Sequence, residues 1–151
     1  MPTDEQAQRL IDENNWEPYS AATESPDEER CLQRILEHQI RCETERGTHT
    51  RTVSELVEVV TKKIGVGTIT NEMAESILGR HGIRVDPDAG QLLISNSAMA
   101  LATILRDTAW AHGWGTVLGR LRGAIKTNPI RFRGISGAHR AVAVPLTTID
   151  P

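Results

Sequence analysis

Between Thr52 and Ser95 the chain reads TVSELVEVVTKKIGVGTITNEMAESILGRHGIRVDPDAGQLLIS, and its periodicity changes twice along the way. Thr52 followed three residues later by Glu55 is a capping box: hydroxyl and carboxylate each satisfy a backbone amide that a helix start leaves unpaired. Val53, Leu56, Val57 and Val60 follow at helical spacing, so one face is apolar. Gly65 and Gly67 end that helix and permit the positive φ of a tight turn. A second helix is expected from Thr70 or Asn71, carrying Met73, Ala74, Ile77 and Leu78 inward and stopping at Gly82. Ile83–Val85 and Leu92–Ile94 then flank Asp86-Pro87-Asp88-Ala89-Gly90, the signature of a short hairpin.

Helix TVSELVEVV, turn IGVGT, helix NEMAESILGRHGI and the hairpin after it resemble the winged helix-turn-helix, over about 45 of the 151 residues. With NSAMALATILRDTAWAHGWGTVLGRLRGA and RAVAVPL added, the resemblance extends loosely to winged-helix segments of phage and plasmid replication proteins of the primase-helicase type. It implies a mostly helical α+β fold with a winged-helix core, an appended helix pair and a C-terminal β-hairpin. Winged helices read DNA, wedge duplexes open or dock proteins, so the fold alone does not choose the function.

The net charge of −3 conceals a dipole. Residues 1–50 hold 12 acidic and 5 basic side chains, residues 51–90 hold 6 and 5, and residues 91–151 hold 2 and 7. Either an acidic arm covers a basic face, or two solvated surfaces differ in sign. No run of about 18 apolar residues exists and MPTDEQAQRL is acidic where a signal peptide is basic, so a cytoplasmic protein with no membrane partner is expected. Two cysteines make no disulfide framework.

Residues 1–25 are expected to form an acidic, partly disordered tail, and 26–151 the folded domain. The tail's Trp16 and Tyr19 either dock a partner or fold back on the domain. Ser25-Pro26 with Glu28 and Glu29 starts a helix whose stripe, Cys31, Leu32, Ile35, Leu36 and Ile40, carries it to about Cys42, with ETERGTHTR as a loop. Cys31, His38 and Cys42 would then share one side of that helix. At 1.5 Å per residue its two thiols stand roughly 16 Å apart, too far for one tetrahedral zinc. No metal site and no cofactor are expected, and Cys31 reads as core.

No GxSxG, P-loop or HExxH occurs, and Gly65-Val66-Gly67 is too short for a dinucleotide fingerprint. One enzymatic arrangement is conceivable: Asp107, His112, His139 and Arg140 gathered at a phosphodiester, as a nuclease requires. These residue types also populate any polar surface, and a non-enzymatic protein is the expectation.

Toward the C-terminus, Asn96 or Ser97 caps a helix with Ala98, Leu101, Ala102, Ile104 and Leu105 buried; TAWAHGW interrupts it, and Trp114, Val117, Leu118 and Leu121 form a shorter one. Trp110 and Trp114 read as core anchors, each able to bury about 150–250 Å². In PIRFRGISGAHRAVAVPL, Ile130 and Phe132 alternate with Arg131 and Arg133, and Arg140, Val142 and Val144 continue after a glycine-rich turn, so a second hairpin is expected. Arg120, Arg122, Lys126, Arg131, Arg133 and Arg140 fall between Leu118 and Val144 with no acidic residue among them. Arginine's planar fork suits phosphate. The second helix instead carries Glu72 and Glu75, and the hairpin Asp86 and Asp88, which would face a phosphate wall. The expected function is a nucleic-acid-binding accessory module, for DNA rather than RNA, using these six residues with Arg80 and Arg84. The rival is an adaptor that binds protein through the winged helix and the acidic tail.

Overall fold

The computed structural model describes residues 26–63 and 68–149. The acidic segment 1–25, with Trp16 and Tyr19, and the Gly65-Val66-Gly67 turn lie outside the described residues. Helix α1 (Asp27–Leu36) has Asp27, Glu28 and Glu29 in its first turn and buries Cys31, Leu32, Ile35 and Leu36. It stops there. Strands β1 (Gln39–Thr44) and β2 (Gly47–Thr52) follow as an antiparallel pair, with Cys42 opposite His49. This corrects the helix expected to reach Cys42 and the loop expected after it. Ile40 stands four residues from Leu36, as a helix wants, but also two from Cys42, and β1 alternates exposed and buried as a strand does. Gly47, at φ 114, closes the turn, with the Thr44 hydroxyl donating to the Gly47 carbonyl at 3.1 Å.

Helix α2 (Val53–Lys62) starts with both halves of the Thr52–Glu55 capping box in place. It ends at Lys63, whose φ of 55 makes the left-handed turn before the glycines are reached. Helix α3 (Asn71–Arg80) is capped by the Thr70 hydroxyl, which accepts from the Met73 amide. Gly82, at φ +78, follows it, and a Cβ there would stand 2.4 Å from that of Ala98, so neither the turn nor the packing admits a side chain.

Strands β3 (Ile83–Asp86) and β4 (Gln91–Ser95) pair as a hairpin. Its turn is fixed by the Asp86 carboxylate, which accepts from the Ala89 amide at 3.2 Å, and by Gly90 at φ 66. Leu92 and Ile94 are buried in the same cluster as Ile77 and Leu78. Helix α4 (Met99–Ile104) is short and has no side-chain cap of its own. In place of the expected Asn96 or Ser97, the buried Ser95 hydroxyl accepts from the amides of Ser97 and Ala98, both at 3.1 Å. Helix α5 (Trp114–Leu118) follows. Trp114 is buried and donates its indole N–H to the Ser95 carbonyl at 2.7 Å. Trp110 is only partly buried, with the Arg30 guanidinium 5.8 Å from its ring centre.

The C-terminal third is richer in β-structure than a mostly helical domain implies. Strands β5 (Ile125–Lys126), β6 (Ile130–Arg131), β7 (Ala138–His139) and β8 (Ala141–Pro145) divide between two sheets. β6 pairs only with β7, while β8 lies between β4 and β5 in a four-stranded antiparallel sheet of order β3-β4-β8-β5. The second hairpin is therefore shorter than expected, and Val142 and Val144 belong to the central sheet. A 3-10 turn (Leu146–Thr148) closes the described chain.

The chain is thus an α+β fold, with five α-helices among the described residues. One sheet face, with Ile83, Leu92, Ile94, Val142 and Val144, packs on the helices in the main core. The opposite face, with Leu93, Ala141 and Ala143, packs under Phe132 of the β6–β7 hairpin. Alternation places valines on the first face and alanines on the second. No helix among the described residues is long and apolar enough to cross a membrane.

Candidate nucleic-acid interface

The β6–β7 hairpin decides where the basic residues go. Phe132 is 2% exposed and anchors the hairpin to the sheet, while Arg131 and Arg133 on either side are exposed. The Arg133 backbone lies directly against α3: a Cβ on Gly79 would stand 2.4 Å from the Arg133 carbonyl oxygen and 2.6 Å from its Cβ. A glycine inside a helix costs about 1 kcal/mol relative to alanine. Here it is what lets the hairpin approach. The Arg133 guanidinium then bridges two carboxylates about one turn apart on α3, Nη2 donating to Glu72 at 3.2 Å and Nη1 to Glu75 at 3.3 Å.

Arg84, on β3, donates from Nη1 to the Arg131 carbonyl at 3.4 Å. Arg80, the last residue of α3, lays its side chain on the hairpin's glycine turn, since a Cβ on Gly134 would meet its Cγ at 2.6 Å. Arg80, Arg84, Arg131 and Arg133 are thus brought together around the C-terminal half of α3. Arg84, Arg131 and Arg133 line a cavity of about 270 Å³ with Glu75, Leu78, Gly79, Ile83 and Val85. On the other side of α3, Arg80 shares a groove with Arg41, Met73 and Ser76. Arg41 lies outside the expected set; the alternation of β1 is the signal that places it at the surface.

The other expected residues do not join this cluster. Arg120 and Arg122 are exposed on the turns after α5, and Lys126 sits on β5 beside Gly119. β5 and β3 are opposite edges of the sheet, three strand spacings or about 14 Å apart. Arg140, also exposed, lies at the β7–β8 junction, where its carbonyl accepts from the Asn96 amide at 2.9 Å. The run of six basic residues in sequence is therefore divided in space. Glu72 and Glu75, expected to repel phosphate, hold Arg133 in the fold.

The nuclease constellation is not gathered. His139 accepts or donates at Nδ1 to the Ser97 hydroxyl at 2.9 Å, just before the start of α4. Asp107, at φ 72, lies past the other end of α4 in a groove with Arg34, Glu37, His38 and Arg106. Both cysteines are free and buried. Burial, with Asp27 adding, pushes the Cys31 thiol up to about 11, so it is a protonated core group. Burial also raises Cys42, partly offset by Arg51 and Arg80. Among the described residues no three or more His, Cys, Asp or Glu are placed to hold a metal ion. Burial lowers His38, with His81 and Arg34 adding; the two imidazole centres are 6.4 Å apart.

No protein-family model matches this chain, and neither the curated proteins nor the solved structures compared with it give a match.

Proposed function

We propose that the chain is a non-enzymatic nucleic-acid-binding module whose contact surface is the arginine cluster of Arg80, Arg84, Arg131 and Arg133, not the outward face of α3. In this reading Val53–Ser95 is a winged helix-turn-helix, supported by the succession α2, α3, β3–β4 and by the joint burial of Leu92, Ile94, Ile77 and Leu78. The β1–β2 hairpin before α2 and β8 beside β4 are additions to that plan. An accessory role in replication of the phage type follows from the resemblance alone.

The observation that carries the reading is the gathering of Arg84, Arg131 and Arg133 around one cavity, with Arg80 of α3 laid on Gly134 of the same hairpin. Gathering like charges is unfavourable unless anions offset it, and α3 supplies carboxylates to Arg133 alone. The Glu72–Glu75 face that a groove-reading helix would present to bases is occupied by Arg133. Phosphate contacts through the flanking arginines, which position without reading sequence, fit this arrangement better.

An adaptor would want a contiguous apolar surface. Among the described residues the exposed large hydrophobics are Met99 and Ile125, on different elements. The test is a gel shift with single-stranded, duplex and RNA probes at about 50 mM salt. At least one probe is expected to bind, and Arg84→Ala with Arg131→Ala to weaken it. If none binds, the adaptor reading replaces this one.

A further inference from the structure

The cavity between α3, β3 and residues 131–133 is built from held parts. Arg84 lies on a paired strand and its guanidinium bonds the Arg131 carbonyl. Arg131 and Arg133 flank the buried Phe132, and Arg133 is tied to Glu72 and Glu75. Arg131 itself has no carboxylate partner among the described residues. The lining therefore carries three guanidiniums against one carboxylate, Glu75, above an apolar floor of Leu78, Ile83 and Val85. Glu72 stands outside the lining with its side chain 80% exposed.

We propose that this cavity binds a phosphomonoester, the terminal phosphate of a mononucleotide or of a nucleic-acid strand. Arg84 and Arg131 contact the phosphate oxygens, and Arg133 is a positioning residue fixed by α3. Three considerations favour a terminal phosphate over one within a strand. Arg84 and Arg131, two guanidiniums that no carboxylate compensates among the described residues, suit a group that carries about −1.5 to −2 near neutral pH, whereas an internal diester carries a single negative charge. Guanidiniums arriving from β3 and from the hairpin surround an anion on more than one side, which suits a group with three free oxygens. The Arg133 backbone against Gly79 forms a wall of the cavity on the α3 side, which suits a group that enters end-on. The identification of a strand end as one source rests on the nucleic-acid reading; the phosphate site does not.

The test uses the full chain and calorimetric titration with AMP and with short oligonucleotides that differ only in a terminal phosphate or hydroxyl. The phosphorylated strand is expected to bind about tenfold tighter than its hydroxyl twin, the loss of charge-assisted hydrogen bonds being worth that much. AMP should compete with it. Arg131→Ala, and separately Arg84→Ala, should abolish the preference, while Arg46→Ala at the β1–β2 turn keeps it. Should Arg84→Ala not fold, Arg84→Gln keeps the test open. Equal affinity for the two strands, with no AMP binding, overturns the phosphate site while leaving a nucleic-acid surface intact. Saturable AMP binding lost in Arg131→Ala, without binding of any strand, upholds the site and ends the nucleic-acid reading. No binding of either ligand overturns both.

Discussion

Lys63 carries α2 into a left-handed turn at φ 55, a conformation that costs a residue with a Cβ about 1–2 kcal/mol. Lys63→Gly should therefore raise stability, by up to about 1 kcal/mol after the greater flexibility of glycine in the unfolded chain is set against it. Chemical denaturation of the variant measures this; a loss would mean that the lysine side chain contributes more than its backbone costs. Gly79 is the opposite case. Alanine is the better helix former, yet its Cβ has no room beneath the Arg133 carbonyl. Gly79→Ala should lower the melting temperature and disturb the hairpin. His38 supplies a pH effect. Its folded pKa lies below the ordinary 6.5 because of burial, His81 and Arg34, so the unfolded chain takes up the proton first. Its contribution is fully present above pH 6.5 and is lost as pH falls through the lowered folded value. The melting temperature should drop between pH 7 and 5, and drop less in His38→Gln; equal slopes would show that other groups carry the effect.

At the scale of elements, what was legible in the sequence was local. Thr52 with Glu55, Thr70 before α3, and Asp86 to Gly90 are each satisfied by residues within four positions, and each forms as its spacing dictates. What was not legible depended on distant partners. Ile40 and Cys42 fit a helix stripe as well as a strand, and the pairing of β1 with β2 decided between them. Ala141–Pro145 read as a hairpin arm because nothing local reveals that β4 and β5 lie on either side. Its alternation of valine and alanine was the trace of two covered faces, the smaller residue lying where the hairpin packs. The arginine cluster was half legible: Arg131 and Arg133 alternate with Ile130 and Phe132 as expected, but their separation from Arg120, Arg122 and Lys126 is a property of sheet order. On the proposed reading Phe132 is a remote determinant of binding. Phe132→Ala should cost about 3–5 kcal/mol, less if the small cluster around it collapses. It should also weaken nucleic-acid binding although no charge is removed. Unchanged affinity in a folded variant would show that the hairpin does not assemble the surface.

Over the whole molecule, the sequence dipole becomes a more particular pattern. The net −3 conceals a basic C-terminal third, and the fold splits that third into a cluster around α3 and a second group at the far edge of the sheet. Arg133 is compensated within the chain by exposed ion pairs, worth roughly 0.2–1 kcal/mol each and weakened by salt. Arg84 and Arg131 keep their charge available. On the proposed reading this surface binds through phosphate neutralisation, and its affinity then follows the release of condensed counterions. The most direct test is the dependence of affinity on salt for the wild-type chain and for Arg84→Ala with Arg131→Ala. The wild-type logarithmic slope should be about −0.9 per phosphate neutralised on duplex or −0.7 on single strand, and the double variant should be shallower by about two contacts. A slope unchanged by the two substitutions, or an affinity indifferent to salt, would contradict the assignment of this cluster as the nucleic-acid contact.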